Sequence, residues 1–172
     1  LGEISSGRSV SPPIFAFLDP FGFEGIELGV VRKLLNFPKA EVFINLNVDS
    51  INRFLEHPDD TITTHIVNAF GLNDVLDIAN QGGDRMTALR ILYQQQLGKF
   101  AQHVRYFEMR NQSNRIIYYL FFASNNRLGH LKMKEAMWRV DDSGAFRFSD
   151  ATDPGQLVMF RGPDYQELVA TI

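Results

Sequence analysis

The chain of 172 residues has no cysteine. That removes disulfides, thiolate nucleophiles and every zinc or iron–sulfur site built on thiolates. No apolar run reaches about 18 residues, so no segment reads as a membrane-spanning helix. No signal peptide is evident. Positive charge is not in excess either: the formal net charge is −3, so no global basic field announces a nucleic-acid binder, and only a local basic patch stays open. A phosphate-binding loop of the Gly-x-x-x-x-Gly-Lys type is missing, which argues against a nucleotide hydrolase. Also missing is a Gly-x-Gly turn after an apolar strand, the device that lets backbone approach a dinucleotide or a similar cofactor. With no cysteine and no leader, a cytoplasmic location is the expectation. The first residue is Leu1 rather than Met, so the sequence reads as a piece of a longer product.

What is present is ordinary globular composition, 45% hydrophobic and 22% charged, in a length that suits one domain. Residues 1–13 are rich in Ser and Gly and end in Pro12-Pro13; they read as a linker or arm. The apolar run Ile14–Leu18 is too short for most helices. Prolines on both sides bound it, so it reads as a strand ending in Asp19-Pro20-Phe21-Gly22. A residue before proline is biased toward extended backbone, which puts the Asp19 side chain at the carboxyl end of the strand. In open α/β sheets that rim is where ligands bind. The same four residues also make a good turn for conformational reasons alone.

From Ile26 to Phe37 apolar residues recur every three or four positions, which predicts an amphipathic helix stopped by Pro38. A second apolar run, 41–47, follows and ends in Asn45 and Asn47. Strand, helix and strand within about 30 residues form a βαβ unit with parallel strands. Asn45 and Asn47 then share the rim with Asp19, either as ligand-binding groups or as caps of the helix beginning near Ser50. Residues 50–80 read as helical pieces, with His57-Pro58-Asp59-Asp60 as a surface turn and N-cap rather than a metal site. Asp84 caps a long helix expected to run to about Gln102.

Val104–Arg110 and the continuous apolar run Ile116–Ala123 flank the turn Asn111–Asn114 and predict a β-hairpin. The second strand, apolar on both faces, belongs inside the sheet, antiparallel beside 41–46. The first, more polar, suits an edge. A helix from Gly129 to Val140 carries Leu131, Met133, Ala136, Met137 and Val140 on one side. Arg127, His130, Lys132, Lys134 and Arg139, with Trp138 among them, form a basic set that serves phosphate contact or simply a solvated face. The tail to Ile172 shows turn signals and a short helix after Asp164.

This order of elements resembles the carboxyl-terminal half of a Rossmann-like, class I S-adenosylmethionine-dependent methyltransferase, in which a final antiparallel strand slots between its hairpin partner and the fifth strand. The Asp19-Pro20-Phe21-Gly22 loop resembles the Asp/Asn-Pro-Pro-Tyr/Phe loop of methyltransferases that act on base amino groups. It differs by Phe21 in place of the second proline and Gly22 in place of the aromatic. Phe17–Gly22, Phe43–Leu46 with Ile51–Arg53, Tyr119–Ala123, and Gly129–Lys134 with Met137-Trp138 resemble, in order, the landmarks of the three-Cys-motif partner proteins. The resemblance spans about residues 14–140.

The resemblance implies an α/β domain over 14–149 and, in 150–172, the beginning of a winged-helix region. It implies S-adenosylmethionine as cofactor and a radical-SAM-type protein bearing three cysteines as partner. In the base-methyltransferase reading Asp19 and the Pro20 carbonyl hold the target amino group and Phe21 stacks on the base. Gly22, Asn45 and Asn47 adjoin the substrate, while His130, Lys132 and Lys134 meet nucleic acid. The alternative is a non-catalytic module that docks onto the radical-SAM-type protein. The cofactor-binding half is not visible in the sequence, so weak cofactor binding is expected. The unpaired edge of Ile14–Leu18 is then expected at a protein–protein contact, a homo-oligomer included.

Overall fold

The computed structural model describes residues 12–20, 27–141 and 143–149. Phe21, Gly22, the arm before Pro12 and the tail after Ser149, with the winged-helix and terminal-helix expectations, lie outside the described residues. The described chain folds as an α/β unit around one mixed sheet of five strands: β1 (Ile14–Leu18), β2 (Ala40–Leu46), β3 (His103–Arg110), β4 (Ile116–Ser124) and β5 (Arg147–Ser149). The spatial order is β1-β2-β4-β3-β5. β1 and β2 are parallel, as the βαβ spacing predicts, with Leu18 beside Ile44. β4 is antiparallel to both of its neighbours, β2 and β3. Its uninterrupted apolar run is explained by this interior position: Tyr119, Phe121 and Ala123 point to one face, Phe122 to the other, and all four are buried.

Four α-helices and a 3-10 helix cover one face. They are α1 (Leu28–Leu35), α2 (Val48–Phe54), α3 (Asp60–Phe70), the 3-10 helix Asn73–Asn80 and α4 (Arg85–Gly98). Their apolar stripes meet Val42, Ile44 and Leu46 of β2 and Tyr119, Phe121 and Ala123 of β4 in one cluster. Caps set the helix starts. Asp59 accepts from the Thr61 N–H at 2.8 Å, and Asp84 from the N–H groups of Met86 and Thr87. Gly71 ends α3 at φ 70°, a left-handed conformation that suits glycine, and a Cβ there would stand 2.8 Å from Leu28 Cδ2. One helix, α5 (Arg127–Val140), packs on the opposite face over β3 and β4, around Phe107, Met109, Phe122, Met137 and Phe148.

Three expectations need correction. The helix after Asp84 ends at Gly98, not near Gln102: Ala101 turns inward and is buried, and the Gln102 N–H is taken by Asn125 Oδ1 at 2.8 Å. β3 is not a free edge along its whole length, because β5 pairs with Glu108–Arg110. The link is local: Asp141 Oδ2 accepts the Arg147 N–H, which folds the Ser143-Gly144 turn back and seats Phe148 in the second core. The α5 helix starts two residues before Gly129, capped by Asn126, and does not bury the whole stripe assigned to it. Met137 is buried, while Leu131 and Val140 are 44% and 54% exposed.

Candidate functional site

The parallel register brings the rim residues together. Because Leu18 stands beside Ile44, the next residues, Asp19 and Asn45, are neighbours at the carboxyl ends of adjacent strands. Pro20 behind Asp19 favours the extended backbone that keeps its side chain at the rim. The Asn45 Nδ2 donates to Asp19 Oδ1 at 2.8 Å. Asn45 sits on an interior strand, flanked on its other side by Leu120 of β4. Its Oδ1 is shielded from solvent and has no hydrogen-bond partner among the described residues. A buried amide oxygen without a partner costs about 1–3 kcal/mol, so a donor arriving from a ligand would be favoured there. Asp19 itself is exposed, as a rim carboxylate outside the core should be.

Asn47 does other work. Its Oδ1 accepts the Ser50 N–H at 3.0 Å and so caps α2. The capping alternative read from the sequence is therefore what the structure shows, although α2 begins at Val48 rather than near Ser50. Next to it Asp49 accepts from Arg115 at 2.5 Å and lies 3.5 Å from Arg53. This pair ties the β3–β4 turn to α2 at the same rim. Asp49 and Arg115 are 66 positions apart, so no local pattern could announce them.

The basic set does not join Asp19. His130 stacks on His103, ring centroids 4.6 Å apart, at the amino end of β3. His103 lies level with Ser124 and Glu41, whereas Asn45 lies level with Leu120 and Phe107. The offset is four residues, about 13 Å along the strands. The His130 pKa is lowered, first by burial of the ring and then by Arg105, His103 and Lys134. Lys132 is paired with Glu135 at 2.9 Å, and Lys134 lies 5.1 Å over the Trp138 ring. Gly129 lets α5 come down on Glu41: a Cβ there would overlap the Glu41 carboxylate. Sequence reading missed His103 and Glu41, which enter this corner from two different strands.

The larger cavities described lie elsewhere. One of about 420 Å³ opens between Glu27, Asn68 and Asn73, and one of about 440 Å³ between Phe37, Lys39 and Arg127. Among the described residues no group of three or more histidines or carboxylates is placed to hold a metal ion. No described helix is long and apolar enough to cross a membrane. β2 passes directly into the Asn47 cap without a glycine turn. What the described residues provide is one carboxylate and one amide, joined and facing the rim. No protein-family model, no curated protein and no solved structure matches the chain.

Proposed function

We propose that the Asp19–Asn45 rim receives the amino group of a nucleic-acid base, as the substrate side of a methyltransferase of the three-Cys-motif partner type. The observation that carries this reading is the hydrogen bond from Asn45 to Asp19 at the carboxyl ends of two parallel strands. The insertion of β4 antiparallel between β2 and β3 supports it, because the resembled fold ends in that arrangement. Asn45 holds one carboxylate oxygen of Asp19, which fixes the side-chain rotamer. The other oxygen and the Pro20 carbonyl then accept from the incoming amino group and align its nitrogen lone pair. Asn45 Oδ1 offers a further acceptor beside them.

The test is methyl transfer from labelled S-adenosylmethionine to nucleic acid by the intact protein. Asp19→Ala is expected to lower the rate at least about 100-fold, in the range of removing a positioned proton acceptor, with the unfolding temperature nearly unchanged. Transfer at the normal rate would defeat the reading. A drop in melting temperature with transfer retained per folded molecule would make Asp19 a structural turn residue.

A second reading is favoured by the lack of a Gly-x-Gly turn after an apolar strand in this sequence: a module that docks, without catalysis, onto a radical-SAM-type protein with three cysteines. It predicts no methyl transfer by the intact wild-type protein and a stoichiometric complex with that partner, unaffected by Asp19→Ala.

A further inference from the structure

Where the amino end of β3 passes under α5, away from the Asp19 rim, four nitrogen-bearing side chains meet. His103 and Arg105 are alternate residues of β3, so both point to one face of the sheet. Phe107 and Met109 continue that alternation and are buried under α5, which fixes the face. From α5 come His130 and Lys134, one turn apart on one side of the helix. The two imidazoles stack, with centroids 4.6 Å apart and planes inclined by 19°. Burial of the His130 ring, and then the charges of Arg105, His103 and Lys134, hold its pKa down. All four side chains are partly buried. A partly buried cation ordinarily has a carboxylate partner, because leaving water uncompensated is costly. Among the described residues Arg105 and Lys134 have none. Each lies over a ring instead: the Arg105 guanidinium 6.0 Å from the Phe146 centroid, the Lys134 ammonium 5.1 Å from that of Trp138. Glu41 enters from β2, with β4 between, so its backbone stands two strand spacings, about 10 Å, from that of His103. Its carboxylate packs on Gly129. The His130 Nδ1 is shielded from solvent, without a hydrogen-bond partner among the described residues.

We propose that this corner binds a phosphate group, with Arg105 and Lys134 supplying charge and His103 and His130 supplying further donors. The arginine fork takes two phosphate oxygens, and lysine acts as a compact point charge. An imidazole beside a bound anion gains its proton more readily, because opposite charge favours the charged form. The anion thereby replaces the carboxylate that the two cations lack. Trp138, 54% exposed beside Lys134, offers a face on which a base joined to that phosphate stacks. A nucleotide or a single strand of nucleic acid is therefore favoured over inorganic phosphate, which shares the charge but not the ring. Lys132 and Arg139 lie on the opposite side of α5 from His130 and Lys134 and take no part. They serve as controls.

The test titrates the chain with inorganic phosphate, a nucleoside monophosphate and a short single-stranded oligonucleotide, followed by calorimetry and by NMR of the imidazoles. The resonances of His103 and His130 are expected to shift, and their pKa values to rise, while His57 and His65 stay as internal references. Arg105→Gln with Lys134→Gln should keep the circular dichroism spectrum and weaken binding at least about tenfold, as losing charge-assisted hydrogen bonds does. Lys132→Gln with Arg139→Gln, on the solvated side, should change it by no more than about twofold. Tighter binding of the monophosphate or the oligonucleotide, reduced to the level of inorganic phosphate by Trp138→Ala, identifies a ligand that carries a base. Equal affinity for all three assigns the site to free phosphate. Imidazoles of the wild-type chain that do not respond to any of the three at millimolar concentration overturn the proposal. So does an equal loss of binding in the two double variants. None of these readouts needs methyl transfer, so failure here and failure of the Asp19 reading are told apart.

Discussion

The two faces of the sheet are built from equally apolar strands and end in different states. On the face under α1 to α4, Val42, Ile44, Leu46, Tyr119, Phe121 and Ala123 are at most 1% exposed. On the other face α5 covers β3 and β4, and Phe122 is fully buried, while Phe15 and Phe17 of β1 remain more than half exposed. β1 and β4 both read as uninterrupted apolar runs. The difference teaches that such a run states what a strand can bury, and that cover is decided by which helix the chain lays over it.

The largest test of this contrast compares one ring from each face. Phe121→Ala should cost about 3–5 kcal/mol in urea unfolding, the range for losing a core aromatic. Phe17→Ala, half in solvent already, should cost under about 1 kcal/mol. Equal losses would mean that the open face is covered in solution.

A smaller effect of opposite sign sits inside the covered face. Tyr93 is fully buried, edge-on to Phe70 and Phe121, and its hydroxyl has no hydrogen-bond partner among the described residues. Burial raises its pKa above the ordinary tyrosine value. Tyr93→Phe removes a polar group that has lost water and gained nothing, and should raise stability by about 1 kcal/mol. A loss of stability would reveal a partner for the hydroxyl. Of similar size, Asp84→Ala removes the cap of α4 and should cost about 1 kcal/mol by thermal unfolding. Its folded pKa is lowered, chiefly by the Thr87 hydroxyl, so this contribution is present at neutral pH and is lost as pH falls through the folded pKa.

The smallest effect belongs to the α5 face. The His130 pKa lies below its ordinary 6.5. Between the folded and unfolded values the unfolded chain binds more protons, so stability is full above the unfolded pKa and declines as pH falls below about 6.5. After burial of the ring, Arg105, His103 and Lys134 hold this pKa down. His130→Phe keeps a stacking ring and should flatten that part of the stability–pH curve. An unchanged slope would mean that His130 does not set it.

Much of the architecture was legible because the cues were local. Prolines bound Ile14–Leu18, asparagine and aspartate caps started the helices, and the hairpin turn set the antiparallel pair. The interior place of β4 followed from an apolar run too long to leave in water on either face. The errors arose where local cues ran out. The three-residue β5 is too short to have a pattern of its own, and depends on Asp141 reaching the Arg147 N–H. The α5 stripe looked wholly apolar, yet the helix meets only part of the sheet beneath it.

At the rim the division is similar. The sequence by itself determined that Asp19 would end a strand, because a proline follows it, and that Asn45 and Asn47 would close the next strand on the same side. Only the tertiary structure decided that Asn45 would hold Asp19 while Asn47 turned to cap α2. Side chains in a strand alternate, so a shift of one residue between β1 and β2 would send the carboxylate and the amide to opposite faces. That register is fixed by the packing of Ala16, Leu18, Val42 and Ile44 against helices formed far along the chain. The same long-range packing sent His130 to His103 rather than to Asp19.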